Sequence, residues 1–245
     1  MDEIKDLIPE TKKQIIECGI HGKQSAFLTK SSMTGKWLGG KCSKCKAIAD
    51  GTERAPQSVS LPLRFKDCSF DTYRVKAGNQ AQGLALRVCR KYAQEFKGRL
   101  KVGGCLILHG TCGTGKTHLA CAVASAVAFS GYQAKVSKVY DIIQRIKNTW
   151  SDRSVTEAEI IIQYTEPDLL VIDEIGVQYG SESEQLILFR ILNARYEDLK
   201  PTIIVSNLAE DDLTEYLGER VIDRFKESDG VTVGFNWESY RGEKS

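Results

Sequence analysis

Gly110-Thr111-Cys112-Gly113-Thr114-Gly115-Lys116-Thr117 decides how this chain is read. It follows a short apolar run, Gly104-Cys105-Leu106-Ile107-Leu108-His109, and opens an Ala-rich segment, Lys116–Ser130, that stops before Gly131. Strand, glycine-rich loop and helix in that order form a phosphate cradle. Glycines let the backbone N–H groups turn inward toward phosphate oxygens, and the helix N-terminus adds its positive end. Lys116 is placed to reach the β- and γ-phosphates of ATP, and the Thr117 hydroxyl to ligate Mg²⁺. The alternative, a glycine-rich turn without a ligand, does not call for that flanking context.

Working outward, Leu169-Leu170-Val171-Ile172-Asp173-Glu174 is an apolar strand ending in two carboxylates. Beside a phosphate loop, Asp173 is the expected Mg²⁺ partner and Glu174 the base that polarises the attacking water; alone, the pair would serve equally well as a helix cap. Asn207, after the run Thr202–Val205, is a candidate for positioning that water, or else a turn residue. Arg220 and Arg224 lie four apart on one helical face, suited to a neighbour's γ-phosphate or to plain solvent exposure. The absence of an Asn-Lys-x-Asp guanine reader and of a Leu-Ser-Gly-Gly-Gln signature argues against GTPases and transporter ATPases.

From residue 80 onward, helical patterns alternate with short apolar strands, which predicts an α/β parallel sheet covered on both faces. The expected helices are Gln80–Lys97, Lys116–Ser130, Tyr140–Trp150, Thr156–Tyr164, Ser183–Leu199 and helices over Asp211–Glu227. The expected strands are Gly104–His109, Ala134–Ser137, Leu169–Ile172, Thr202–Val205 and Val231–Val233. Before residue 60 the chain is poor in apolar runs. A first helix is expected at Asp6–Glu17, and Asp50–Ser58 reads as a linker. The expected division is a small domain over 1–60 and a larger one over 61–245.

The formal net charge of +2 argues against a charge-driven binder. No apolar run is long enough to cross a membrane, and the acidic Met1–Asp6 lacks a signal core, so the expected compartment is the cytoplasm. Eight cysteines in a reducing compartment are then ligands, core residues or thiols. Cys18-x-x-His21 and Cys42-x-x-Cys45 have metal-ligand spacing and suit a closed structural Zn²⁺ site in a segment short of core; unrelated thiols beside a surface histidine are the alternative. Lys138, Arg145, Lys147 and Arg153, interleaved with Tyr140 and Trp150, could track a nucleic-acid strand or form an ordinary amphipathic helix.

The chain resembles the DnaC-like helicase loaders, within the AAA+ ATPases. The resemblance rests on Asp67-Cys68-Ser69-Phe70-Asp71-Thr72-Tyr73-Arg74, on Gly113–Ala120 including His118, on Asp168–Gln178, on Leu217–Arg224, and on Phe235-Asn236-Trp237-Glu238-Ser239-Tyr240-Arg241. It implies a sheet order of 5-1-4-3-2, ATP hydrolysis stimulated by assembly and DNA, and binding to single-stranded DNA. It also implies an N-terminal domain, here the zinc-bearing version, that grips a replicative hexameric helicase. Arg224 takes the place of the arginine finger, with Arg220 one turn earlier, and Arg241 that of a sensor-2 arginine. Arg241 follows Arg224 by only 17 positions, so a core without the C-terminal helical lid is expected. Two alternatives share the core: an IstB-like transposition helper acting on duplex DNA, and a non-hydrolysing ATP-bound DNA regulator. Glu174 argues against the second.

Overall fold

The computed structural model describes residues 11–18, 22–30, 34–38, 48, 54, 57, 59–151, 154–176 and 182–240. The chain falls into two compact units, Met1–Ala55 and Pro56–Ser245. In the first, β1 (Thr11–Cys18), β2 (Gly22–Lys30) and β3 (Trp37–Leu38) form an antiparallel sheet in that order. This corrects the helix expected over Asp6–Glu17 from Thr11 onward, its first five positions lying outside the described residues. The ladder runs from Thr11↔Thr29 to Cys18↔Gly22, so backbone groups that a helix would have paired locally are paired across strands. The β-branched Ile15-Ile16 pair fits a pleated surface, and cross-strand pairing overrides the helical spacing of the apolar residues. Ala26 is fully buried, and the Lys12 ammonium sits 4.5 Å from the centre of the Trp37 ring.

In the second unit the helices are α1 (Gln80–Gln94), α2 (Phe96–Val102), α3 (Lys116–Phe129), α4 (Val139–Asn148), α5 (Glu157–Thr165), α6 (Glu182–Glu197), α7 (Glu210–Leu217) and α8 (Glu219–Glu227). They surround β4 (Leu106–Gly110), β5 (Ala134–Lys138), β6 (Leu169–Ile175), β7 (Thr202–Ser206) and β8 (Val231–Phe235). All neighbouring strands in the sheet are parallel, in the order β5-β6-β7-β4-β8. Counted from β4 as the first, that is 5-1-4-3-2 read backwards, as expected.

Period-2 alternation splits the strand residues between two cores. Leu106, Leu108, Leu169, Val171, Ile203 and Val205 pack with α1 and α3 on one face. Ile107, Leu170, Ile172 and Ile204 pack with α4 to α8 on the other. Helix α3 is buried nearly all round, and its alanines let it lie close to the sheet. The helix expected over Gln80–Lys97 is divided at Glu95, and the helices expected over Asp211–Glu227 are two, parted at Gly218. Thr156 caps α5 in a reciprocal box with Glu159.

Arg195 on α6 is fully buried, and its hydrogen bonds go to main-chain carbonyls and one hydroxyl. Its guanidinium donates to the carbonyls of Tyr164, Thr165, Pro167 and Pro201 at 2.6–3.1 Å, and to the Thr202 hydroxyl at 2.9 Å. It thereby ties together the two turns that feed β6 and β7, and burial lowers its pKa to about 10. No helix among the described residues is long and apolar enough to cross a membrane.

Candidate nucleotide site

The carboxyl ends of β4, β6 and β7 are adjacent in the sheet, and they bring the sequence-predicted residues to one edge. Gly110 closes β4 with φ 116°, and a Cβ there would fall 2.6 Å from the Phe235 carbonyl oxygen. Gly115 enters α3 with φ 95°, and its Cβ would fall 2.7 Å from the Tyr73 ring. Only glycine meets both demands, backbone conformation and close approach. Lys116 is 4% exposed, and its ammonium donates to the carbonyls of Gly110 (2.8 Å) and Thr111 (2.6 Å). A buried charge needs such partners. Thr114 is fully buried, and its hydroxyl donates to the Thr111 carbonyl at 2.8 Å, closing the loop on itself. Cys112 is the exposed cysteine of the loop.

One strand away, β6 carries a register irregularity between Ile172 and Ile175. Asp173 and Glu174 lie on it, and Glu174 has φ 63°. A bulge re-aims side chains, and a non-glycine residue in the left-handed region costs about 1–3 kcal/mol. The result sends the two carboxylates to different places. Asp173 is 5% exposed and accepts from the Thr117 hydroxyl at 3.1 Å and from the Glu174 N–H at 2.9 Å. Burial pushes its carboxyl above the ordinary value, and both hydrogen bonds oppose that shift. Glu174 points toward the end of β5, where Lys138 donates to it at 2.9 Å. With both side chains 42% exposed, the pair is worth at most about 1 kcal/mol. The hydrogen bond to Glu174 raises the Lys138 ammonium above its usual range. Asn207 is exposed just past β7, between the loop strand and the acidic strand.

The loop is fastened by residues of the flanking stretches that carry the family resemblance, in contacts that no motif specifies. The Tyr73 hydroxyl donates to the Thr114 carbonyl at 3.3 Å, and the Trp237 indole N–H donates to the same oxygen at 3.0 Å. Tyr240 donates its N–H to the Gly113 carbonyl at 3.0 Å and its hydroxyl to the Arg74 carbonyl. The Thr111 hydroxyl reaches the carbonyls of Phe235 and Trp237 at 3.0 and 3.1 Å. His118 meets the Ser69 carbonyl at 2.9 Å and the Thr72 hydroxyl at 3.2 Å, with its ring edge-on to Tyr73. The stretches before α1 and after β8 therefore converge on the loop.

The arginines of α8 do not join this cluster. Arg224 donates to the Asn193 side-chain oxygen of α6, with its guanidinium 4.9 Å from the centre of the Tyr196 ring. Arg220 is exposed, and among the described residues no hydrogen bond or ion pair holds it. Of the basic stretch, Lys138 and Lys147 are paired with Glu174 and Glu184 at 2.9 Å each. Arg145 bonds Gln163 and Tyr164, while Tyr140 and Trp150 are 49% and 58% exposed. Arg153 and Arg241 lie outside the described residues. So do His21, Cys42 and Cys45 of the expected zinc site, whose fourth member, Cys18, closes β1. Among the described residues no cluster of three or more His, Cys, Asp or Glu is placed to hold a metal.

Residues 100–244 match the family described as IstB-like ATP binding protein. The replicative helicase loader DnaC of Escherichia coli strain K12 is 37% identical over 176 residues, covering 72% of this chain and 70% of that protein. DnaC of Buchnera aphidicola subsp. Acyrthosiphon pisum is 34% identical over 178 residues, with coverage of 72% and 70%. Among solved structures, the crystal structure of the DnaC helicase loader superposes with a TM-score of 0.63 at 27% identity, covering 71% of this chain and 100% of that one.

Proposed function

This chain belongs to the IstB-like ATP binding protein family, in its DnaC-like AAA+ group, and from that premise we propose that it is an ATP-hydrolysing loader of a replicative DNA helicase. The observation that carries the reading is the Thr117 hydroxyl held 3.1 Å from the buried Asp173 carboxylate, beneath a loop whose Gly110 and Gly115 leave no room for a side chain. These residues fit a nucleotide triphosphate with its divalent ion. Residues 110–118 would hold the phosphates, with Thr117 and Asp173 on the metal side. The ion would supply charge neutralisation for the phosphoryl group being transferred.

The chain's own groups divide the remaining work. Lys116, now spending its N–H donors on the loop's carbonyls, turns them to phosphate oxygens. Glu174 takes the proton of the attacking water, and Asn207 at the neighbouring strand end orients that water. Arg224, with Arg220 a turn before it, faces away from its own loop and acts on a neighbour's site, so that hydrolysis reports assembly. A second tier of the proposal has Cys18, His21, Cys42 and Cys45 binding Zn²⁺ and the N-terminal unit choosing the helicase. Tyr140 and Trp150, exposed on and just after α4, are the side chains offered to the bases of single-stranded DNA.

The test is retention of replicative helicases on the immobilised full chain, with and without ATP, repeated with Lys116→Ala. Helicase held in a nucleotide-dependent way, together with ATPase activity raised by single-stranded DNA, is the expected result. No helicase retained under any nucleotide condition sinks the loader reading. Stimulation by duplex rather than single-stranded DNA would move the chain to the transposition-helper class. Metal content of the purified chain, near one zinc per chain, checks the N-terminal ligands separately.

A further inference from the structure

Helix α6 packs against α8, and the contact is built around the arginine proposed to act in trans. Arg224 is half-buried on α8, one turn before that helix ends at Glu227. One of its terminal nitrogens donates to the Asn193 oxygen, and the guanidinium lies over the Tyr196 ring with 4.9 Å between centres. Neither partner is loose. The Asn193 amide nitrogen donates to the Glu197 carboxylate at 2.7 Å, which fixes which end of the amide faces Arg224. The Tyr196 hydroxyl donates to the Glu227 carboxylate at 2.7 Å, which fixes the ring from the far end of α8 itself. An aromatic face and one amide oxygen are an unusual pair of partners for an arginine. They attract the cation without neutralising it, and they use only one of its five N–H donors. A carboxylate at the same place would have engaged two donors in a bidentate ion pair.

We propose that Asn193 and Tyr196 are positioning residues for Arg224, holding its guanidinium in place with most of its N–H donors unspent so that it meets the γ-phosphate in the site of an adjoining copy of this chain. The proposal rests on the reading that Arg224 acts in trans. Its logic is pre-organisation: a long side chain restricted in advance loses less freedom when it docks, and misplacement of about 1 Å in such a group is worth about 10²-fold in rate. Arg220, exposed and without these supports, is left as the accessory of the two.

The test separates donor from acceptor. Wild-type chain is mixed with a large excess of Glu174→Gln chain, which retains its loop and cannot hydrolyse. ATP turnover is then measured on single-stranded DNA, with co-sedimentation showing that the mixture assembles. Nearly every active site then has a silent chain as its arginine donor. Adding Arg224→Ala to the silent chain is expected to cut turnover to the level set by the few wild-type pairs. Adding Asn193→Ala or Tyr196→Ala instead is expected to lower kcat about tenfold with KM for ATP unchanged, and Tyr196→Phe, which keeps the ring, to restore most of it. If Arg224→Ala acts and the two alanine variants leave turnover at the parent level, the positioning role is wrong while the trans arginine stands. Turnover that rises with those variants shows that the pair restrains Arg224 and also overturns the proposal. If Arg224→Ala itself has no effect, the underlying reading fails and the proposal falls with it.

Discussion

The phosphate loop and the arginine-bearing helix α8 are held in very different ways. Around the loop, hydrogen bonds arrive from both sides of the sequence: Tyr73 from before α1, and Trp237 and Tyr240 from beyond β8. Most end on main-chain carbonyls, so they fix the backbone whatever side chains the loop carries. On α8, Arg224 rests on two side chains of one neighbouring helix, and Arg220 projects outward. A group that binds ligand within its own chain is over-determined by the fold. The arginine proposed to act on another chain is held by two side chains alone.

That contrast can be broken experimentally. The largest effect is expected from Lys116→Ala, which removes the only ammonium buried beneath the loop among the described residues. Turnover should fall by at least about 10³-fold and nucleotide binding should weaken with it, measured by kcat/KM and by titration with a fluorescent ATP analogue. Arg224→Ala should also cost about 10³-fold in the DNA-stimulated rate, yet leave nucleotide affinity of the isolated chain within about twofold. Equal losses of affinity in both variants would erase the distinction between the two regions. Gly115→Ala puts a methyl 2.7 Å from the Tyr73 ring at φ 95°, and should destabilise the ATPase unit by about 2 kcal/mol. Calorimetry should show that as a drop of roughly 4–8 °C in Tm. The smallest effect is chemical. Burial pushes the thiols of Cys89 and Cys121 up to about 12 and that of Cys105 to about 11, whereas Cys112 is exposed on the loop. Among the cysteines of the ATPase unit, alkylation should therefore mark Cys112 first, and ATP with Mg²⁺ should slow it about tenfold. A rate indifferent to nucleotide would mean that the loop does not wrap the phosphates.

Much of the ATPase unit could be read from local pattern. The Gly110–Thr117 motif, the acidic end of the Leu169–Glu174 run and the alternation of apolar strands with helices are signals contained in short windows, and the sheet order followed from the resemblance they supported. What could not be read lies between distant residues. The meeting of Tyr240 with Arg74 spans 166 positions, and no periodicity announces it. The bulge that parts Asp173 from Glu174 belongs to strand pairing rather than to either residue. Arg195 carries no local signal of burial, and only the carbonyls gathered around it explain its place in the interior. In the N-terminal unit the error ran the other way. Leu7, Ile8, Ile15 and Ile16 suggested a helical stripe, but the backbone of Thr11–Cys18 found its partners in Gly22–Lys30.

The bond from the Trp237 indole to the Thr114 carbonyl has a practical consequence. The chain has three tryptophans, Trp37, Trp150 and Trp237, and one of them is wired to the loop proposed to cradle phosphate. With the first two replaced by phenylalanine, the ultraviolet emission of the third becomes a built-in optical gauge of the loop. It would follow each filling and emptying of the site in real time without a label on the nucleotide.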